Sequence, residues 1–304
     1  MSLNKNSAAG HAAALFTVIV WGTTFISTKV LLRAFTPLEI LFLRFLLGFV
    51  MLCIMNPRPL KTGNWKEEAM LASAGLTGIC LYYLLENVAL TYTQASNISV
   101  IVSIAPIFTA ILAHFFLEGE KLKRSFIMGF ICAMAGICLI SFGGGEGMSL
   151  SPAGDLMAVG AAVVWGFYSI LSKRIGSLGY DVIQTTRRTF FYGILFMIPA
   201  LFFMDFRPRL GELKSAVNLF NMLYLGLGAS ALCFVTWNCS VRILGAVRTS
   251  IYIYMVPVIT IVISIPVLHE VITPRAAAGT VLTLAGLFIS EGRPGAARRN
   301  CADM

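Results

Sequence analysis

The amino-acid sequence predicts an all-α integral membrane protein of ten transmembrane helices, arranged as two inverted five-helix repeats. Hydrophobic residue types make up 58% of the 304 residues, and charged types make up only 12%. A soluble domain carries about 25% charged residues, because polar groups must cover much of its surface. This composition excludes an ordinary soluble enzyme and indicates that the lipid bilayer is the solvent of the chain.

Apolar runs of roughly 20 residues, the length of helix that crosses a bilayer, recur along the whole sequence. Pro, Gly and charged residues separate the runs, as in the segment Asn56-Pro57-Arg58-Pro59. The runs predict ten membrane-spanning helices, near residues 11–32, 38–55, 68–90, 96–117, 125–142, 153–172, 182–204, 217–238, 247–269 and 275–290.

The distribution of Lys and Arg predicts the orientation of these helices. Fourteen of the basic residues lie in the termini and loops on the side of the N-terminus, and five lie in the loops on the other side. Cytoplasmic loops are enriched in Lys and Arg. We therefore expect a multi-pass protein of the cytoplasmic (inner) membrane, with both termini and the tail 291–304 in the cytoplasm.

The net charge of +9 does not indicate a nucleic-acid partner. A nucleic-acid interface needs basic residues clustered on one exposed face, whereas here they are spread over short loops.

The second half of the sequence repeats the first. Residues of the same type recur at offsets of 144, 150 and 151 positions, as in Trp21 and Trp165, Arg44 and Arg188, Glu120 and Glu270, Asn87 and Asn238, and Pro106 and Pro257. Each copy, residues 11–142 and 153–290, holds five predicted helices. Because five is odd, the second copy enters the membrane from the opposite side, an arrangement that recurs among secondary transporters.

Several short motifs resemble the EamA-type branch of the drug/metabolite transporter superfamily. They are Trp21-Gly22 with Lys29, the segment 89–97 (ALTYTQASN), Ala105-Pro106 and the segment 117–121 (LEGEK). The resemblance covers residues 11–290, and it is weaker in the second half. It implies a ten-helix carrier of amino acids or other small metabolites, often working outward, that has no catalytic residues.

Three charged side chains fall within the predicted spans, near the outer side of the membrane. Arg44, Glu86 and Lys29 lie at a similar depth, and ionisable groups inside a membrane are usually functional or paired. Arg44 and Glu86 are expected to form an outer gate or a proton-coupling pair. The alternative is a static ion pair, with Lys29 extending its amine to the interface.

Arg188 is the counterpart of Arg44 in the second repeat and lies near the inner side. Its guanidinium is expected to act in gating or in binding a substrate carboxylate. For the neighbouring Arg187, contact with lipid headgroups or with a helix end is the favoured interpretation.

Aromatic and amide side chains are candidates for the wall of a central substrate site. Aromatic rings can hold apolar groups or an ammonium, and amides can bind polar ones. The candidates are Trp21, Tyr82, Tyr83, Glu86, Asn97, Trp165, Tyr168, Asn238, Tyr252 and Tyr254. The alternative is an aromatic belt at the headgroups, which is favoured for Trp237 and Tyr92 because they lie near predicted helix ends.

Pro106 and Pro257 are expected to break the fourth and ninth helices near their middles and to act as hinges that line a cavity. The alternative is a packing kink without a role in transport. Gly75, Gly78, Gly226 and Gly228 are expected to allow close packing between helices rather than to contact a ligand.

The sequence predicts transport rather than catalysis. It contains no phosphate-binding loop, dinucleotide fingerprint or nucleophile motif, so no cofactor and no metal are expected. The expected function is a secondary active or facilitative carrier that exports amino acids or similar small metabolites by alternating access. Its expected partners are a small-molecule substrate, the lipid bilayer and protons. The alternatives are a multidrug or cation efflux carrier and a membrane-embedded lipid enzyme.

Overall fold

A computed structural model of the chain describes residues 2–117, 124–141, 151–204 and 206–291, and the regular structure of these residues is entirely helical. We number the main helices α1 to α10 in chain order. They are Ser2–Leu31, Pro37–Met55, Trp65–Tyr92, Ala95–Phe116, Arg124–Ser141, Pro152–Ser177, Val182–Phe203, Ala216–Leu244, Ala246–Leu268 and Pro274–Glu291.

Seven of these helices, in the part of the chain described, are long and apolar enough to cross a membrane: α1, α2, α3, α4, α6, α8 and α9. Large apolar side chains such as Ile54, Phe202 and Phe203 are exposed on the outside of the bundle. This surface suits hydrocarbon rather than water. The predicted all-helical membrane fold is confirmed at this level, and the count of ten spans stays a prediction.

The start of α2 shows how local sequence sets a helix boundary. The Thr36 hydroxyl accepts a hydrogen bond from the backbone N–H of Glu39, and the Glu39 carboxylate accepts one from the N–H of Thr36 at 2.6 Å. This capping box satisfies two N–H groups that a helix start otherwise leaves free. Arg209, in the loop before α8, also donates to Glu39 at 3.0 Å and so joins that loop to α2.

Four helices contain irregular turns near their middles. The backbone of α3 widens to a π-helix over Leu76–Leu81, and that of α8 does so over Tyr224–Leu232. Helix α4 is interrupted between Val102 and Ala105, and α9 tightens to a 3₁₀ turn over Ile251–Met255. Such turns leave backbone carbonyls free for other partners, and in membrane proteins they occur where they are buried or line a cavity.

The two proline breaks lie where the sequence predicts them. Pro106 stands in the first turn after the interruption of α4, and Pro257 stands in the first turn after the 3₁₀ turn of α9. Because proline lacks an N–H, the preceding turn loses one helical hydrogen bond and can adopt another geometry.

Glycines bring α5 and α10 into backbone contact. A Cβ atom on Gly136 would lie 2.5 Å from the backbone nitrogen of Thr283, and one on Gly286 would lie 2.3 Å from that of Ala133. Residue 136 of α5 thus lies opposite residue 283 of α10, and residue 133 lies opposite residue 286, so the two helices are antiparallel. The two contacts are equivalent: in each, a glycine of one helix approaches the backbone of the other helix at the residue three positions before that helix's own glycine.

A second reciprocal pair of glycine contacts lies deeper in the bundle. A Cβ on Gly75 of α3 would lie 2.7 Å from the nitrogen of Gly193 in α7, and one on Gly48 of α2 would lie 3.0 Å from the carbonyl oxygen of Gly226 in α8. The predicted role of Gly75 and Gly226 in close helix packing is confirmed by these approaches. A Cβ on Gly78 would lie only 2.2 Å from the Tyr168 ring, which confirms the same role there. The prediction is wrong for Gly228, because a Cβ there would meet only Tyr224 of the same helix, at an ordinary 3.7 Å.

Candidate functional site

A cluster of buried aromatic rings occupies the centre of the bundle. Trp21 of α1 and Trp165 of α6 meet edge to face, with ring centroids 5.3 Å apart. Tyr82 of α3 lies 4.8 Å from Trp165, and Tyr83 lies 4.7 Å from Tyr82. Phe234 of α8 lies within about 6 Å of both tryptophans. The five rings come from four helices, α1, α3, α6 and α8. Contacts of this edge-to-face kind stabilise the cluster.

A small cavity lies beside this cluster, between helices of the two halves of the chain. Its volume is about 30 Å³. Room of this size suits about two water molecules. The lining residues come from α1, α3, α4, α6 and α9, and they are Trp21, Thr24, Phe25, Tyr82, Tyr83, Glu86, Ser99, Val102, Ser103, Ala105, Trp165, Ile253 and Val256.

The broken turns of α4 and α9 form one wall of the cavity. Val102, Ser103 and Ala105 lie at the interruption of α4, and Ile253 and Val256 lie at the 3₁₀ turn of α9. Pro106 and Pro257 therefore stand next to cavity-lining residues in both halves. This placement brings the predicted hinge positions and the predicted substrate wall to the same region of the bundle.

Glu86 is the carboxylate of the cavity lining. Its side chain is only 2% exposed, and its Oε1 atom accepts no hydrogen bond from the protein. The indole N–H of Trp165, also on the cavity, has no acceptor either, whereas that of Trp21 donates to the Ala229 carbonyl at 3.0 Å. Buried polar atoms without a partner are costly, and in native proteins they mark the place of a water or a ligand.

Arg44 lies next to the cavity, behind Tyr83. Its side chain is 0% exposed, and its Nε atom donates to the Ser230 hydroxyl at 3.0 Å. The guanidinium carbon lies 4.4 Å from the Tyr83 ring centroid and 5.3 Å from that of Phe45. Neither Nη1 nor Nη2 has a hydrogen-bond acceptor. The charge is thus held by one hydroxyl and two aromatic faces, through cation–π attraction.

Arg44 and Glu86 are neighbours that do not form an ion pair. All distances between their charged atoms exceed 4.0 Å, the limit for such a pair, and Oε1 of Glu86 stays unpaired. The sequence places the two residues at one depth, but the helix rotations leave them apart. Each therefore keeps unsatisfied atoms beside the central cavity.

Lys29 lies at one end of the bundle, which we call the Lys29 end. Its amine donates to the carbonyl oxygens of Leu90 at 2.5 Å and Thr93 at 2.7 Å, after the last turns of α3. The Glu270 carboxylate accepts hydrogen bonds from the N–H groups of Ala95 at 2.7 Å and Ser96 at 3.2 Å, and so caps α4. These contacts join helices α1, α3 and α4 to the segment after α9.

Contacts between α3 and α7 lie at the opposite end of the bundle, which we call the Tyr180 end. Arg188 donates to Glu68 at 2.7 Å, and the Tyr192 hydroxyl donates to the same carboxylate. Tyr180, in the loop between α6 and α7, donates its hydroxyl to Glu67 at 2.6 Å. The Glu67 carboxylate raises the pKa of the Tyr180 phenol, because it favours the protonated hydroxyl.

Arg187 also lies at the Tyr180 end. Its guanidinium donates to the backbone carbonyl oxygens of Asn56 and Arg58, in the segment after α2. The predicted contact of Arg187 with a helix end is therefore confirmed.

Asn238 lies outside the central cavity, in a polar cluster nearer the Tyr180 end. Its Oδ1 atom accepts hydrogen bonds from the hydroxyls of Tyr168 and Ser172, both at 2.8 Å, and its Nδ2 atom donates to Thr186 at 3.0 Å. The cluster joins α6, α7 and α8. Tyr168 also contacts Trp165, with centroids 4.9 Å apart, so it connects this cluster to the aromatic rings.

The remaining predicted wall residues lie away from the cavity lining. Asn97 donates to the Thr93 hydroxyl at 3.3 Å, Tyr252 shares a 2.7 Å hydrogen bond with His11, and Tyr254 packs against Phe288. The structure thus brings together Trp21, Tyr82, Tyr83, Glu86 and Trp165 from the predicted set.

Trp237 is fully buried, which contradicts its predicted place in a headgroup belt. Its exposed fraction is 0%, and its ring lies 5.0 Å from that of Trp21. The apolar run ends at 238, but α8 continues to Leu244, so Trp237 is two turns further from the helix end than the run indicates. Tyr92, in contrast, is exposed at the end of α3.

Three polar residues of the cavity lining, Thr24, Ser99 and Ser103, are absent from the sequence-based set. Thr24 follows Trp21 by three residues, and Ser99 precedes Ser103 by four, so each shares a helix face with another lining residue. Two sequence signals predict these residues: the helical spacing of three from Trp21 to Thr24, and the position of Ser99 and Ser103 in the turns just before Pro106.

Comparison with known proteins places these features in a family. Residues 8–142 and 152–291 each match the EamA-like transporter family. An uncharacterized transporter of Archaeoglobus fulgidus is 27% identical over 287 residues, which cover 93% of this chain and 97% of the relative. A probable terminal-alkyne amino-acid exporter of Streptantibioticus cattleyicolor is 28% identical over 291 residues, which cover 95% of this chain and 96% of the relative.

A crystal structure aligns with 94% of this chain and 97% of its own, with a TM-score of 0.66 at 17% identity. At that identity the likeness shows a shared fold alone.

Proposed function

The chain belongs to the EamA-like transporter family, and from this premise we propose that it is a secondary transporter that exports amino acids or similar small metabolites by alternating access. Family membership makes it a multi-pass membrane protein with a small-molecule substrate. The amino-acid class is suggested by the relative described as an amino-acid exporter. Family and relatives both indicate a transporter rather than an enzyme.

We propose that ten spans form two inverted five-helix repeats, residues 11–142 and 153–290. Support comes from the two stretches that match the family and from the reciprocal contacts of Gly136 and Gly286. Two elements that exchange equivalent contacts are related by a two-fold axis. Because α5 and α10 are antiparallel, that axis is perpendicular to the helices and lies in the membrane plane, as an inverted repeat requires.

We further propose that the Tyr180 end faces the cytoplasm of the cytoplasmic membrane, with both termini on that side. The excess of Lys and Arg in the loops of that side supports this orientation. The cytoplasmic tail in this proposal is residues 291–304, of which 292–304 lie outside the described residues.

The observation that carries the transport proposal is the small central cavity between the two proposed repeats. It combines aromatic rings, one carboxylate with an unpaired oxygen and the broken turns of two helices. Aromatic faces can hold an apolar side chain, and Glu86 can bind an ammonium or a proton. The turns beside Pro106 and Pro257 supply the points at which α4 and α9 can bend.

In this proposal the structure corresponds to a conformation whose central cavity is too small for the cargo. Lys29 and Glu270 line a separate pocket of about 360 Å³ at one end, and the contact of Arg188 with Glu68 joins α7 to α3 at the other. A cavity of about 30 Å³ is far smaller than a site for a small organic molecule, which occupies at least about 300 Å³. The helices must therefore separate before the cargo can enter, and each end must open in turn.

Flux measurements in proteoliposomes test this proposal. Vesicles containing the purified protein are loaded with a panel of labelled amino acids, and efflux is followed with and without the same unlabelled solute outside. We expect efflux of some members of the panel and acceleration by exchange, which indicates a carrier. The variant W165A, which removes one cavity wall, is expected to slow this flux, and absence of flux for the whole panel would overturn the proposal.

A carrier of lipophilic cations is the second candidate. The observation in its favour is the cavity itself, since Glu86 and the surrounding rings could hold a cation without any other anion. The same vesicles distinguish the two functions when a labelled quaternary ammonium replaces the amino acid.

A further inference from the structure

We infer that Arg44 binds the carboxylate of the transported solute, and that this restricts the cargo to solutes carrying a carboxylate. The inference rests on the proposed transport function and names the substrate class of its site. It also separates the two candidate functions, because a lipophilic cation offers nothing for a guanidinium to bind.

Arg44 is held in a fixed orientation before any ligand arrives. Its Nε atom donates to Ser230, which belongs to the π-helical turn of α8, and its guanidinium lies against the rings of Tyr83 and Phe45. A guanidinium fixed in this way loses little conformational freedom when it binds a planar anion. Ser230, a residue of the second half of the chain, thus helps to hold the Arg44 guanidinium in its binding orientation.

The two terminal nitrogens of Arg44 are fully buried and unsatisfied. Among the described residues, no atom accepts a hydrogen bond from Nη1 or Nη2, and no carboxylate forms an ion pair with Arg44 within 4.0 Å. A buried charge without a hydrogen-bonded partner is costly, so a bound anion that satisfies these two nitrogens would gain that energy. The two N–H groups form the fork that binds both oxygens of one carboxylate.

The second half of the chain supplies a comparison within the same molecule. Arg188 is the repeat counterpart of Arg44, but its side chain is 38% exposed and is paired with Glu68. The position in the second half that corresponds to Glu68, at the offset of 151, holds Leu219. Arg188 thus has a carboxylate partner from the first half, whereas the second-half position equivalent to Glu68 is apolar.

Tyr83 connects Arg44 to the cavity. Its ring lines the cavity and also contacts the guanidinium, whereas Arg44 itself is not part of the lining. A displacement of this ring, as the helices separate, brings the guanidinium to the cargo. Glu86 lies one helical turn further along α3 and is available for an ammonium group of the same solute.

Matched solutes test the inference in proteoliposomes. The probes are leucine and phenylalanine, each compared with its carboxamide, which keeps the ammonium and the side chain but lacks the carboxylate. The wild-type protein is expected to transport the acid at least about tenfold faster than the amide, since a buried charge pair is lost in the amide. In R44Q the transport rate of the acid should fall at least about tenfold, while that of the amide should change little. The preference for the acid over the amide should therefore disappear.

Two further variants separate binding from folding. R44K keeps the charge but loses the fork, so it should retain a reduced preference for the acid even if R44Q does not fold. S230A should raise the KM for the acid and leave that for the amide unchanged. R58Q, at an exposed arginine, is the charge-matched control and should behave like the wild type.

The outcomes also distinguish this inference from the proposed function. Absence of any flux in the wild type would overturn the transport function itself. Equal transport of acid and amide by the wild type, or an equal loss of both in R44K, would overturn the role of Arg44 and leave the transport function standing. In a third result, E86Q abolishes the preference for the acid and R44K leaves that preference undiminished. This result would show that Glu86, and not Arg44, determines the selectivity for a carboxylate, and it would also contradict the inference.

Discussion

Replacing Glu86 by Gln should abolish coupling of transport to a pH gradient. The amide has the size of the carboxyl group and can accept and donate hydrogen bonds, but it cannot titrate. Among the described lining residues Glu86 supplies the one carboxyl group, and we expect one proton per cycle to be exchanged there. If proton and cargo compete for it, the carrier is an antiporter and moves the two in opposite directions.

The magnitude follows from that stoichiometry. One proton moving down a pH difference of one unit supplies about 1.4 kcal/mol, which sustains a tenfold ratio of cargo concentrations. Vesicles with an interior one pH unit more acidic than the outside should therefore accumulate cargo about tenfold in the wild type, because protons leave as cargo enters. In E86Q the inside and outside concentrations should become equal.

The assay is uptake of a labelled amino acid into proteoliposomes with the imposed gradient, read at the plateau. Exchange without a gradient, measured on the same vesicles, should persist in E86Q and shows that the variant is folded. E212Q, at an exposed glutamate before α8, is the matched control and should accumulate cargo like the wild type. Undiminished gradient-driven accumulation by E86Q would refute the role of Glu86.

Three further predictions concern stability, each measured as thermal unfolding in detergent. W165A should lower the free energy of unfolding by about 3–5 kcal/mol, since the 3% exposed indole is lost from the aromatic cluster. G136L should cost about 1–3 kcal/mol or more, because its Cβ would lie 2.5 Å from a backbone nitrogen of α10, whereas G211A, with open space around it, should be neutral. R188Q should cost no more than about 1 kcal/mol, because the pair with Glu68 is partly exposed and screened; a larger loss would show that the contact is stronger than its exposure indicates.

The helix boundaries show what local sequence can predict. The first helical residue of α2, Pro37, lies one position from the start of the predicted run, because Thr36, Pro37 and Glu39 form a capping box that depends only on neighbouring residues. The breaks near Pro106 and Pro257 are predictable for the same kind of reason. The π-helical turns are not, because their wider geometry depends on contacts with other helices, such as that of Ser230 with Arg44.

The candidate site was predicted in part. Trp21 and Trp165 were placed near mid-span and meet at 5.3 Å, because helical rise converts sequence position into depth. Depth does not determine which way a side chain faces. Depth therefore predicts Asn238 in the cavity, although its side chain is hydrogen-bonded in a separate cluster. It also predicts Trp237 at the interface, although α8 continues beyond this residue to Leu244.

The sequence by itself determined the solvent of this protein, its helical class, its internal repeat and the few charges that lie within apolar helices. These follow from composition and periodicity, which local physical chemistry converts directly into structure. Only the tertiary structure decided that Glu86 lines a cavity, that Arg188 forms an ion pair with Glu68 and that Arg44 forms none with the described carboxylates. Those outcomes depend on the rotation of each helix about its axis and on side chains up to 186 positions apart in the chain, as in the contact of Arg44 with Ser230. No local pattern encodes such a contact.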